Sequence, residues 1–584
     1  MCGLFGVIAF DQQVSIDIQK ARSARDTLIH RGPNQAGEWV DKSKYIGHRR
    51  LSILDLSEAG RQPMASADNK VVISVNGEIY NFQPLRKELE ERGECFRSKS
   101  DSEVILHGYR AWGIEALLDK IDGMYALAIL DNEHGLLYLA RDRVGIKPLY
   151  YSRLNDELAW ASELKAIVAY YGKESLARDH EALYDFLTYR YIPAPKSAYK
   201  DVYKLPPAHY LRLDLGSGEV LTKRYWGLST DTRTIDDDNA AQEVRSAMAT
   251  AVSEHLVSDV PVGFFLSGGL DSSIVTAQAR QLKYPAYTYS IGFGVVGFDE
   301  TDYAEHVAEY LGTEHSTTII DPYLEIPFVE WLEQIFDEPF GDNSALPTWY
   351  VASRSAERAV VVLTGDGGDE LFGGYNWYSG FESTLAWSRW LKYIPESVSL
   401  LSTRKAKSLS NLVVASKTNM PELALHNSRN LSPLHIRLRE GWRHLLQIDD
   451  DYDDMWFFKK FWRPGLGARK SYQYLDFHTF LPECVLTKVD RTTMAHSIEA
   501  RVPFLSRDVV ELAFSLPESF IYKNGQLKGG LKYAYRDLLP QSILNRGKKG
   551  FSLPWHKWGN ILIHGDTLQE ASLESFLKMK YEAA

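Results

Sequence analysis

Over the first 190 or so residues, apolar positions come in short runs of strand length, at 4–10, 71–75 and 125–130. Intervening segments such as 16–28 and 83–91 carry apolar residues at helical spacing. This mixture predicts an α+β sandwich. The pattern breaks at Tyr191, where Ile192-Pro193-Ala194-Pro195 and Leu205-Pro206-Pro207 interrupt it. A hairpin follows at 210–215 and 220–225 around Gly216-Ser217-Gly218, and then the acidic stretch Asp236-Asp237-Asp238. A domain boundary is expected here, with residues 2–218 forming one domain and 219–584 a second. Beyond it, apolar runs at 260–266, 286–293, 315–320 and 360–363 alternate with helical patterns such as 240–255 and 303–311. That rhythm of βα units predicts a doubly wound parallel sheet. From about residue 380 the pattern is mostly helical and rich in tryptophan, without an internal repeat.

Composition narrows the class. With 584 residues, 45% of them apolar, the chain can bury more than one core, as the two patterns require. A net charge of −11 gives no general attraction to nucleic acid or to an anionic membrane, and no apolar run reaches the length of a membrane span. Neither is expected as a partner. The chain passes directly from Met1 into Cys2-Gly3-Leu4-Phe5-Gly6 without a basic leader, so a cytoplasmic protein is expected. Three cysteines, Cys2, Cys95 and Cys484, are odd in number and far apart, which suits neither a disulfide framework nor a zinc site. The acidic run at 449–454 lacks the glycine and final glutamate of a calcium loop and reads as a solvated loop.

The densest chemistry lies at Leu266-Ser267-Gly268-Gly269-Leu270-Asp271-Ser272-Ser273. An apolar strand closed by two glycines and followed by a helix start lets successive N–H groups and a helix N-terminus point at an anion. Ser-Gly-Gly alone is an ordinary strand–turn–helix corner. The full string resembles the pyrophosphate loop of ATP pyrophosphatases, which form an acyl-adenylate and release pyrophosphate. The Gly-Lys-Ser/Thr ending of a Walker A loop does not occur at this site.

At the other end of the chain, removal of Met1 would make Cys2 the first residue. Its α-amine, with a pKa of about 7.7–8.0 against about 8.5 for a thiol, can then act as base for its own Sγ. A small buried cysteine in an apolar strand is the plain alternative. Further along come Arg31-Gly32-Pro33, Gly47-His48-Arg49-Arg50-Leu51-Ser52, Asn76-Gly77-Glu78-Ile79-Tyr80-Asn81 and Ser100-Asp101-Ser102-Glu103. With Met-Cys-Gly, these resemble the glutaminase domain of class II glutamine amidotransferases, which implies an N-terminal-nucleophile αββα sandwich. The resemblance makes Cys2 the nucleophile and gives Asn76 and Gly77 to the oxyanion. It gives Arg50, Glu78 and Asp101, together with Asn76 and Gly77, to glutamine; the pattern His-x-Arg-Leu-Ser selects Arg50 over Arg49.

In the second half, Tyr289-Ser290-Ile291-Gly292 and Thr364-Gly365-Asp366-Gly367-Gly368-Asp369-Glu370 close two more predicted strands, where open α/β sheets bind ligands. With Lys488-Val489-Asp490-Arg491, Glu499-Ala500-Arg501-Val502-Pro503-Phe504-Leu505 and residues 525–539, they resemble the synthetase half of glutamine-hydrolysing asparagine synthetases. The resemblance spans nearly the whole chain and weakens between about 380 and 475. It implies ATP bound by Leu266, Ser267, Gly268, Gly269, Asp271, Ser272, Ile291, Thr364 and Gly365. It also implies Mg²⁺ on Asp271 and Asp369, a catalytic role for Asp366, and Lys532 as the lysine that neutralises charge at the α-phosphate.

Three departures bear on the acceptor. Asp366 stands where well-studied relatives have glutamate, the segment from Gly341 to Pro347 lacks an arginine found in some of them, and Ser506 replaces a common aspartate. The implied activity is ATP-dependent amidation of a carboxylate by ammonia from glutamine, giving AMP and pyrophosphate, with aspartate as the expected acceptor. A paralogue acting on another carboxylate and a non-catalytic scaffold are the alternatives. A homodimer is left open.

Overall fold

Strand Cys2–Ala9 is apolar at nearly every position because both of its faces are covered. Leu4 and Ile8 face Val72, Ala126, Leu130, Leu137 and Leu211 of a second sheet, while Phe5 and Val7 pack under helices Ile18–Asp26, Leu164–Tyr171 and His180–Tyr189. The same alternation runs along strand Val71–Ile79. Val72 lies between the sheets, and Ile73 and Val75 lie under helices Phe82–Glu91 and Glu103–Lys120. Two six-stranded sheets, antiparallel in every pairing, thus stack face to face with helices outside, the expected αββα sandwich. The computed structural model describes residues 1–11, 13–295, 298–320, 326–391, 441–547 and 565–578.

The hairpin expected at 210–225 forms as His209–Asp214 and Val220–Arg224, and its first strand pairs with Leu136–Arg141. It is therefore the edge of the second sheet. The division expected between residues 218 and 219 falls within this hairpin, and strand pairing carries the sandwich through Arg224.

The second half builds a five-stranded sheet, parallel in every pairing, in the order Glu314–Ile319, Tyr287–Gly292, Val262–Phe265, Val361–Leu363, Glu499–Arg501. Strand order reverses beside Val262–Phe265, so the crevice between it and Val361–Leu363 is the place where this architecture receives ligands. Among the described residues the C-terminal part is helical, with Ala468–His478, Thr487–Met494 and Arg507–Ser515 packed near the sheet. Of the stretch from about residue 380 expected to be mostly helical and rich in tryptophan, residues 392–440 lie outside the described residues. The acidic run 449–454 is largely exposed, and its Asp454 pairs with Arg443. No described helix is long and apolar enough to cross a membrane.

The halves are joined by buried charge. Arg31 of the sandwich donates to Glu163 Oε1 at 2.7 Å and to Asp490 Oδ2 of the second half at 2.8 Å. Arg491 reaches Glu163 at 2.7 Å and also pairs with Asp337. Removing one member leaves its partner buried and uncompensated. Asp490→Ala is accordingly expected to destabilise the protein by about 3–5 kcal/mol, read as a lower urea midpoint; an unchanged midpoint would contradict this role.

Candidate active sites

Cys2 and Arg50 are direct partners in the pairing of Cys2–Ala9 with Lys44–Arg50, so their side chains share a face. Arg49 is turned away, its Nε donating to the Gly32 carbonyl at 3.1 Å. The Arg50 guanidinium is fixed by Gln35 Oε1 and the Ser57 carbonyl, 3.0 and 3.1 Å away, and by the carbonyls of Leu54 and Asp55. The Cys2 backbone N–H donates to Asn76 Oδ1 at 2.8 Å, and the Asn76 Nδ2 is buried without a hydrogen-bond acceptor among the described residues. This leaves an amide donor beside the thiol with its other end tied down. Burial raises the Cys2 thiol pKa, opposed by the N-terminal ammonium, the Leu51 N–H and Arg50.

Gly77 follows Asn76 with φ 151°, where a Cβ would sit 1.9 Å from the Met124 carbonyl oxygen. Only glycine lets the strand bring Asn76 and Glu78 to this spot. Asp101 accepts from the Ile79 N–H at 2.7 Å, and burial raises its pKa. Burial, Asp101 and Glu499 raise that of Glu78 well above the ordinary carboxylate range, with Arg501 opposing them. The expected residues Cys2, Arg50, Asn76, Gly77, Glu78 and Asp101 therefore gather at one end of the sandwich. Glu499 and Arg501 come to the same place from the second half, Glu499 Oε2 lying 2.6 Å from the Met1 ammonium. The sequence string that holds both residues does not place them beside the cysteine site.

The second site lies at the reversal of strand order. Gly268 has φ 67° and lies so close to the next helix, Thr301–Leu311, that a Cβ would be 2.6 Å from the Ala304 nitrogen. Ser267 Oγ meets Ser272 Oγ at 3.2 Å and accepts from the Gly269 N–H at 3.3 Å, closing the loop over the start of helix Leu270–Gln281. Leu266 and Ile291 are buried on neighbouring strand ends. Thr364 Oγ1 donates to Asp366 Oδ2 at 2.7 Å, and Gly365 packs against Asp271 and Ser272.

Lys528, not Lys532, bridges the carboxylates of Asp271 and Asp369. It has φ 53° at the start of helix Gly529–Ala534, uncommon for a residue with a side chain and a mark of functional positions. Burial opposes its charge, but the two aspartates outweigh burial and raise its pKa. Lys532 lies one helical turn beyond and is only partly buried; burial and Lys528 lower its pKa. Lys528 was not singled out from sequence, although the glycines at 529 and 530 beside it were a signal of an unusual turn.

Lys488 Nζ lies 3.0 Å from Ser344 Oγ and 3.6 Å from Asp342 Oδ2. Burial opposes its charge, yet Asp342 and Asp366 raise its pKa. Arg491 is engaged by Glu163 and Asp337, and Arg501 by Glu499 and Glu78.

Two family models match the chain, a glutamine amidotransferase domain over residues 1–226 and an asparagine synthase over 243–577. Asparagine synthetase [glutamine-hydrolyzing] 1 of Bacillus subtilis (strain 168) is 34% identical, the alignment covering 96% of this chain and 88% of the relative. Asparagine synthetase [glutamine-hydrolyzing] 3 of the same organism is 31% identical over 95% of this chain and 88% of the relative. Amidase chry2 of Gibberella zeae is 25% identical over 97% of this chain and 90% of the relative. A sandwich holding a cysteine site and a parallel sheet holding a nucleotide-type loop agree with both matches, and the chain belongs to the asparagine synthase family, as a glutamine-hydrolysing, ATP-using carbon–nitrogen ligase.

Proposed function

We propose that the chain amidates L-aspartate to L-asparagine, with AMP and pyrophosphate as the other products. In the sandwich, Arg50 takes the glutamine α-carboxylate, and Glu78 and Asp101 take its α-ammonium. With Met1 removed, the Cys2 α-amine draws the proton from Sγ, which attacks the side-chain amide. Asn76 Nδ2 and the Gly77 N–H hold the oxyanion while ammonia leaves, and water then releases glutamate from the thioester.

In the second half, the loop 267–269 and the N-terminus of helix Leu270–Gln281 receive the ATP phosphates, and Ile291 lies against the adenine. The aspartate β-carboxylate attacks the α-phosphorus and pyrophosphate leaves. Lys528 stabilises the charge that builds there, and Lys532, one turn on, adds a second cation toward the phosphates. Asp271 and Asp369 fit Mg²⁺: they are two hard oxygen donors on adjacent loops, already drawn together by one cation, and this ion needs few carboxylates when phosphates complete its shell. Bound there, it would neutralise pyrophosphate oxygens. Ammonia attacks the acyl carbon, AMP departs, and Asp366 takes the proton lost by nitrogen. No cluster of three or more metal-ligating side chains occurs among the described residues, so a fully protein-built metal cage is not invoked.

The observation that carries the aspartate reading is the pair Lys488 and Asp342, a cation and an anion 3.6 Å apart in a partly buried setting. They match the α-carboxylate and α-ammonium of an amino-acid acceptor, and Lys488 takes the part of the absent arginine. The test compares aspartate with 3-aminopropanoate, which lacks the α-carboxylate. Lys488→Met is expected to lower kcat/KM for aspartate by about 100-fold and to leave that for 3-aminopropanoate nearly unchanged. Equal losses for both would contradict the pairing. Absence of asparagine from the unaltered enzyme would instead favour a different carboxylate, the alternative raised by Asp366, Ser506 and the arginine-free segment from Gly341 to Pro347.

A further inference from the structure

Glu78 and Arg501 come from different halves of the chain and meet with Oε2 and Nη2 3.4 Å apart, their side chains 8% and 1% exposed. The rest of the guanidinium is committed. Nε donates to Glu499 Oε1 at 2.6 Å, and Nη1 donates to the carbonyls of His255 and Val257, each at 2.7 Å. Nη2 is buried and makes no hydrogen bond among the described residues, so a guanidinium held by three other bonds leaves this nitrogen facing Glu78. The backbone of the same residue serves the other site, its carbonyl accepting the Thr364 N–H at 2.9 Å where the Thr364–Asp369 loop begins.

We propose that Arg501 is a positioning residue for the glutaminase reaction, holding the Glu78 carboxylate charged and in place for the α-ammonium of glutamine. The donor pocket is then complete only when the synthetase half is docked. This rests on the reading of Glu78 as a glutamine ligand. The electrostatics agree: burial, Asp101 and Glu499 favour the protonated Glu78, while Arg501 favours the carboxylate, joined by the Met1 ammonium only while Met1 is still in place. On the remaining side Tyr80 stacks on His255 at 3.7 Å, and burial lowers the His255 pKa to about 3, leaving that ring neutral. A protonated Glu78 would meet an ammonium with a neutral acceptor, which is the weaker pairing.

The sign follows directly. Removing the Arg501 charge raises the Glu78 pKa further, so the acid limb of glutaminase kcat/KM moves to higher pH. The experiment measures glutaminase kinetics of the full-length enzyme against pH, normalised to ammonia-dependent synthesis by the same preparation. Arg501→Gln is expected to raise KM for glutamine about 30-fold or more, with kcat within about threefold, and to shift the acid limb upward. Arg501→Lys keeps the charge with a shorter reach. It is expected to recover most of the KM and to return the limb toward its original pH, and it carries the test if the glutamine variant does not fold. In a Glu78→Gln background, Arg501→Gln should add less than about twofold to KM. A fall in kcat with KM and limb unmoved would overturn the proposal and make Arg501 a structural residue. A normal KM in Glu78→Gln alone would overturn it differently, by removing Glu78 from the donor pocket.

Discussion

Cys2→Ala is expected to abolish glutamine-dependent amide synthesis, by about 10³-fold or more, while synthesis from added ammonia continues. In the proposed donor reaction the Cys2 thiol is the nucleophile, a part that neither an amide such as Asn76 nor a guanidinium such as Arg50 can take. The proposed acceptor chemistry lies on a different sheet, at the crevice beside Val262–Phe265. The substitution is small, and alanine suits a buried strand end. Assays with glutamine and with ammonium, on the same folded preparation, give the comparison. Loss of both activities would mean that the sites are not chemically separate.

Lys528→Ala is expected to have the mirror effect. Amide formation should fall by about 10³-fold, with glutaminase turnover retained. Its ammonium is the shared partner of Asp271 and Asp369, so its removal leaves two carboxylates facing each other where phosphate charge must be received. Lys532→Ala, at the partly buried neighbour one turn on, should cost less than about tenfold. Asp271→Asn should follow Lys528→Ala. Product analysis distinguishes these variants readily, because in the proposed reaction pyrophosphate and glutamate report the two sites separately. A larger loss at Lys532 than at Lys528 would reverse the assignment made from the geometry.

The contrast between these two lysines shows where sequence was informative. Features carried by a contiguous string were legible: the apolar strand closed by Gly268 and Gly269, the Asn76-Gly77-Glu78 run, and the βα rhythm that becomes the parallel sheet. Strand alternation also places Arg50, rather than Arg49, on the face of Cys2, in agreement with the choice made from the motif. Lys528 and Lys532 are four residues apart, and helical spacing puts both on one face. What separates them is the left-handed turn at Lys528, a tertiary feature that no periodicity encodes. Glu499 and Arg501 were out of reach for a related reason. Their contacts with Met1 and Glu78 span more than 400 residues, and only the docking of the halves creates them. The boundary near residue 218 lay within a hairpin because Gly216-Ser217-Gly218 is a turn, and a turn in sequence looks like a linker until the second strand is seen to pair.

In the proposed reaction one chain draws ammonia from glutamine and delivers it to adenylated aspartate. The most direct measurement incubates the purified enzyme with amide-¹⁵N glutamine, ATP, Mg²⁺ and aspartate, and quantifies labelled asparagine, AMP and pyrophosphate together. All three are expected to rise in equal amounts, only when aspartate is present, with the label in the asparagine amide. ADP and phosphate as the nucleotide products, or pyrophosphate release that does not respond to aspartate while glutamine is still being hydrolysed, would contradict it.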